Sequence, residues 1–165
     1  MPESRIPDPT LMARLQLSVK GVDWAASLIR AHQHEVPEGE EWSPHQHLVH
    51  LLAVEVGNYH VRLERVLAEE RPVLAAWSAA VDPELEALDL DALAERFISA
   101  RAKTYELFKG LRQEQWSRTA IWPDGREVDV AWMAEKALWH ALDHFATLLD
   151  MHQTFDALHA KAWQA

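Results

Sequence analysis

A chain of 165 residues with a net charge of −10 and no cysteine excludes disulfide stapling, thiolate metal ligation and a cysteine nucleophile together. The acidic balance opposes nucleic-acid binding and docking on anionic membranes, because both require a Lys/Arg surface. Hydrophobic residues at 48% and charged residues at 25% are ordinary for a globular chain, and the length suits one domain, residues 1–165, with its own core.

The opening MPESRIPDPT has no basic segment followed by an apolar run, so no signal peptide is expected. No apolar stretch approaches the roughly 18 residues of a membrane-spanning helix, and a cytoplasmic location is the corresponding expectation.

The first helix is predicted from about Thr10 to about His34, with Leu11, Leu15, Val19, Val22, Ala26 and Ile29 on one stripe. EVPEGEE then interrupts the pattern. The second begins in EWSPHQHLVHLL: Ser43 can cap, Pro44 suits the first helical position, and Gln46 closes a Ser-x-x-Gln capping box. This helix should reach about Glu69. RPVLAAWSAAVDPELEALDL follows, long enough for a crossover and for a short helical turn within it.

A third helix starts near Asp89 or Asp91 and ends around Arg112, turning Leu93, Phe97, Ala100, Thr104, Leu107 and Leu111 inward. In SRTAIWPDGREVDV, Pro123-Asp124-Gly125 signals a turn between two short β-tending pieces. Asp129 can cap a fourth helix to about Met151, and the weakly amphipathic tail TFDALHAKAWQA suits a short extra helix. Four helices, one long crossover and a small hairpin describe an all-α four-helix bundle, a fold that builds metal sites from facing side chains.

Met133, Ala137, His140, His144, Leu148 and Met151 share one stripe of the fourth helix, and only the two histidines are polar. A buried imidazole without a partner costs about 1–3 kcal/mol, so each requires a hydrogen bond or a metal. Their i, i+4 spacing puts both rings on one face, close enough for a single ion. The second helix offers His45, His47, His50 and His60. His50, beside the Leu52/Val56 line, would complete a three-histidine site, and His47, one turn earlier, competes for that place. His45, His32, His34, His152 and His159 read as surface residues.

WSPHQHLVHLLAVE resembles the second-helix pattern Trp-Ser-(four residues)-hydrophobic-x-His-Leu-(three residues)-Glu of the DinB/YfiT-like metal-dependent superfamily. LWHALDHFATLL is similar to its fourth-helix His-x-x-x-His, and the interval between the motifs agrees over roughly residues 10–152. The resemblance implies a bundle ordered up-down-down-up, often paired as a homodimer. It also implies a divalent metal held by His50, His140 and His144, choosing His50 over His47. Zinc or nickel suits such a site first, with iron, cobalt or manganese as further fits.

Glu55 and Asp143 are the carboxylates placed to orient a ligand or to act as a general base. Their plainer readings are an ion pair with Arg62, or an exposed face, for Glu55 and an exposed helix-face charge for Asp143. Trp42, Trp132 and Trp139 lie near the site in sequence and can wall a pocket or fill core. Known branches of the superfamily include transferases that use a low-molecular-weight thiol and thiol-dependent isomerases. The expectation is therefore a thiol S-transferase acting on small electrophiles. A metal-dependent hydrolase and a non-catalytic, DNA-damage-inducible stress-response protein that binds metal or ligand are the alternatives. Histidines that hydrogen-bond one another without metal are the plainest reading.

Overall fold

The computed structural model describes residues 8–76 and 82–162. Each of the four long predicted helices is present. α1 (Leu11–Ile29) ends in a 3-10 turn at Arg30–His32. Its inward stripe is as expected except that Ser18, rather than Val19, is fully buried, with its hydroxyl donating to Leu15 O at 2.8 Å.

α2 (Pro44–Val54) opens with the capping box: Ser43 Oγ accepts from Gln46 N–H, and Gln46 Oε1 accepts from Ser43 N–H. At Glu55–His60 the helix widens into a π turn before resuming as α3 (Val61–Ala68). A short α4 (Pro83–Glu86) lies in the crossover. α5 (Leu90–Lys109) is capped by Asp89, whose carboxylate accepts from Ala92 N–H at 2.8 Å. β1 (Thr119–Ile121) and β2 (Glu127–Asp129) pair antiparallel with Ala120 opposite Val128, and Gly125 supplies the positive φ (86°) of the turn.

Asp129 accepts from Trp132 N–H at 2.7 Å and starts α6 (Val130–Ala162). The tail is not a separate helix. No glycine or proline interrupts the chain after Asp129, and buried Met151 and Phe155 keep α6 on the bundle well past the expected end.

Side-chain pairs fix the helix directions. Arg14 lies over Trp139, Gly21 faces Phe145 and His32 stacks on Phe155, so α1 and α6 run parallel. His45 meets Leu88 and His60 meets Ala100, so α2–α3 and α5 run parallel. His47 meets His144 and His50 meets His140, so α2 and α6 are antiparallel. The order is up-down-down-up. Parallel neighbours require the chain to travel back along the bundle, which is what the long crossover does. The crossover also adds an unexpected feature: Val73 bridges in parallel to Ile121, with Leu74 N–H donating to Ile121 O and Ile121 N–H to Pro72 O, both at 2.9 Å.

The core forms two apolar clusters. One gathers Leu15, Tyr59, Leu63, Phe108, Ala137 and Leu138. The other gathers Val22, Leu48, Leu52, Phe97, Ala141 and Leu148. At the seam, where each helix passes from one cluster to the other, stand polar residues: Ser18 on α1, Glu55 on the π turn, Arg101 and Thr104 on α5, and His140 on α6. Among the described residues no helix is long and apolar enough to cross a membrane.

Candidate metal centre

α2 and α6 bring the histidines together. His50, His140 and His144 each offer one ring nitrogen, and these nitrogens all lie within 4.8 Å of one another. His50 Nε2 is 3.0 Å from His140 Nε2, and His47 Nδ1 is 2.7 Å from His144 Nδ1. His47 is thus held on the edge of the group through His144. Trp42 closes one side, its ring 5.0 Å from that of His50 and stacked on His144 at 6.3 Å.

Burial dominates the electrostatics. It lowers His47 to about 4, helped by neighbouring His50, and lowers His50 in the same direction. His144 falls to about 3, chiefly by burial and then by His140, His47 and His50. His140 also falls to about 3, through burial, His50, Arg101 and Lys136 in that order. All four imidazoles are therefore neutral near pH 7, the form that offers a lone pair to a metal.

The neutral pairs do not satisfy themselves. Among the described residues His140 Nδ1 and His47 Nε2 are buried without a hydrogen-bond partner, each at a cost of about 1–3 kcal/mol. A neutral three-imidazole set in which His140 keeps a buried nitrogen unpaired fits a divalent ion of borderline softness, of which zinc and nickel are examples.

The other residues singled out from the sequence are distributed differently. Glu55 is fully buried, but its partner is not Arg62. Its Oε2 lies 2.9 Å from Arg101 Nη2, off the axis of a proper hydrogen bond, and its Oε1 accepts from the Thr104 hydroxyl. Arg62 instead lies over Trp122, 4.1 Å from the ring centre, and donates to Ala75 O at 2.8 Å. Asp143 is exposed, with no side-chain hydrogen bond among the described residues.

Of the three tryptophans, only Trp42 lines the centre. Trp132 packs on Trp122, and Trp139 is exposed beneath Arg14. The surface assignment of His45 is corrected: the residue is buried, with Nε2 2.8 Å from Leu88 O. The crossover delivers that carbonyl from 43 residues away, beyond the reach of local periodicity. His34 and His159 are exposed, and His32 and His152 partly so. Sequence reasoning missed Arg101. Its signal was spacing: Phe97, Arg101, Thr104 and Phe108 continue one stripe of α5, and an arginine on an apolar stripe requires a partner.

The model of the DinB superfamily matches residues 23–148, a span that holds all three histidines. The chain belongs to the DinB superfamily. Among solved structures it is similar to YfiT from Bacillus subtilis, described as a probable metal-dependent hydrolase with an unusual four-helix bundle topology. The TM-score is 0.80 at 17% identity, covering 94% of this chain and 93% of YfiT. It is also similar to a mycothiol-dependent maleylpyruvate isomerase, with a TM-score of 0.71 at 16% identity. That match covers 87% of this chain but only 61% of the isomerase. At such identities the likeness is one of fold. No curated protein matches the chain in sequence.

Proposed function

We propose that this DinB-superfamily protein is a metal-dependent enzyme in which His50, His140 and His144 hold a divalent ion, and that it transfers a low-molecular-weight thiol to small electrophiles. The observation that carries the reading is the convergence of three neutral ring nitrogens within 4.8 Å between α2 and α6. A divalent ion bound there with an open position supplies Lewis acidity, lowering the pKa of a thiol or of water. The chain supplies the rest. α2 and α6 fix the nitrogens, Trp42 forms an apolar wall, and burial keeps the imidazoles unprotonated. With no cysteine in the chain, a sulfur nucleophile has to arrive as a cosubstrate.

A hydrolase that uses water at the same residues is the second reading. It is favoured by the coverage of YfiT at 93% of its length, against 61% of the thiol-dependent isomerase. A homodimer belongs to the proposal, and it is supported by Leu17, Trp24 and Leu28, exposed on one face of α1. Light scattering tests it.

The deciding experiment is elemental analysis of untagged protein beside His50→Ala and His144→Ala. Near-stoichiometric metal in the parent, lost in both variants, supports the centre. Turnover of an activated aryl halide only with added thiol then selects the transferase, and ester hydrolysis without thiol selects the hydrolase. Metal without either activity supports a binding protein. No metal after incubation with zinc and nickel at neutral pH overturns the metal readings and leaves a hydrogen-bonded histidine core.

A further inference from the structure

We infer that Arg101 and Glu55 are positioning residues for the histidine centre: a buried ion pair, anchored on a helix that contributes no ligand, that sets the register of the two helices that do. The inference rests on the metal reading above and deepens it.

The contacts form a closed circuit. His50 on α2 meets His140 on α6 at 3.0 Å. Three residues before His140, the carbonyl of Ala137 accepts from Arg101 Nη1 and Nη2 at 3.1 and 3.2 Å. Arg101 pairs with Glu55, and Glu55 follows His50 by five residues on the same continuous helix. Each link lies within about a turn of a proposed ligand, so sliding or rotating α6 against α2 breaks the circuit where it separates the nitrogens.

The π turn is fastened at both ends. Glu55, its first residue, accepts from the Thr104 hydroxyl. His60, its last, places Nε2 2.8 Å from Thr104 Oγ1 and 3.0 Å from Ala100 O. Such one-residue expansions of a helix are frequent at functional sites. Here the expansion lies just beyond His50, and α5 holds it.

Stability alone is a poor reason for this arrangement. Arg101 and Glu55 are each 1% exposed, and a dry ion pair generally gives no more stability than well-packed apolar side chains of the same size. Fixing register is the best-attested use of such groups. Arg101 Nε, buried with no hydrogen-bond partner among the described residues, shows that the guanidinium is not placed to satisfy all of its donors. It is placed to reach Glu55 and the Ala137 carbonyl together.

The test uses the full-length protein and the double variant Glu55→Leu/Arg101→Met, which removes both charges and avoids leaving one unpaired. The expected result is a folded metal-free protein with its thermal midpoint at or above that of the parent. Its zinc affinity, measured by chelator competition, should fall about 10–100-fold, the range typical of losing an outer-shell support. The visible absorption of bound Co(II) should change in position or intensity, a readout that general stability does not move. A folded double variant with parental zinc affinity and a parental cobalt spectrum overturns the inference. If the double variant does not fold, Arg101→Lys decides by the same two readouts. It keeps a charge for Glu55 and loses the fork on Ala137 O, so parental values there overturn the inference equally. A parent protein that binds neither zinc nor cobalt removes the metal reading itself, and this inference with it.

Discussion

One polar cluster sits at the seam between the apolar halves of the core and a second extends from it through His140, and they handle burial in different ways. The ionic cluster of Glu55, Arg101, Thr104 and His60 is the more deeply buried and sets charge against charge within the protein, with Glu55 Oε2 and Arg101 Nε outside any well-aligned hydrogen bond among the described residues. The histidine cluster of His47, His50, His140 and His144 is less deeply buried, borders a partly exposed Trp42, and leaves two ring nitrogens without partners. Burial is therefore not what marks a binding site. Each cluster leaves two polar atoms without a hydrogen bond, but the ionic one neutralises its charges internally, whereas the histidine one groups three neutral lone-pair donors that can take a ligand.

The sharpest way to break this comparison is to unpair the ionic cluster. Glu55→Leu alone leaves the Arg101 charge buried and unpaired, and should cost about 3–5 kcal/mol in denaturant unfolding. A loss below about 1 kcal/mol would mean that Arg101 finds water or another partner. The histidine cluster should respond to metal instead. Zinc at about 100 times its dissociation constant should raise unfolding stability by about 2.7 kcal/mol, and a chelator should reverse the gain. His50→Ala should abolish the response.

Acid tests the same nitrogens without metal. In the folded protein burial lowers His47 to about 4, and His140 and His144 to about 3, from the ordinary histidine value of 6.5. Between those limits the unfolded chain binds protons that the folded chain does not, so stability is full above 6.5 and falls as pH drops. For a single such imidazole the loss between pH 7 and about pH 5 is about 2 kcal/mol, read as a falling denaturant midpoint of metal-free protein. A flat profile would show that these imidazoles protonate without opposing the fold. The smallest effect concerns the start of the ligand helix. Ser43→Ala removes the cap of α2 and should cost about 1 kcal/mol while leaving metal stoichiometry unchanged. Lost stoichiometry would show that His50 depends on the cap as well as on the seam.

Much of this molecule is written locally. The caps at Ser43, Asp89 and Asp129, the turn at Pro123-Asp124-Gly125 and the inward stripe through His140 and His144 all rest on spacings of two to four residues, which the backbone enforces wherever the helix goes. These spacings determined the helices, the hairpin and the candidate ligands on α6. The end of α6 was less legible, because the tail's amphipathicity does not say whether a helix continues or begins again; Met151 and Phe155 decided that by packing.

What the tertiary structure alone decided is which distant groups became partners. His45 is buried because the crossover brings it the Leu88 carbonyl. Glu55 turns to Arg101 rather than to Arg62, and the π turn carries it there. His47, still an open choice from the residues themselves, came to rest on His144 beside the three-nitrogen group. A side chain's direction along a helix follows from a fixed period. Its partner across the core depends on how four helices are rotated and slid against one another, and that is settled by the sum of many weak packing contacts, which no local spacing records.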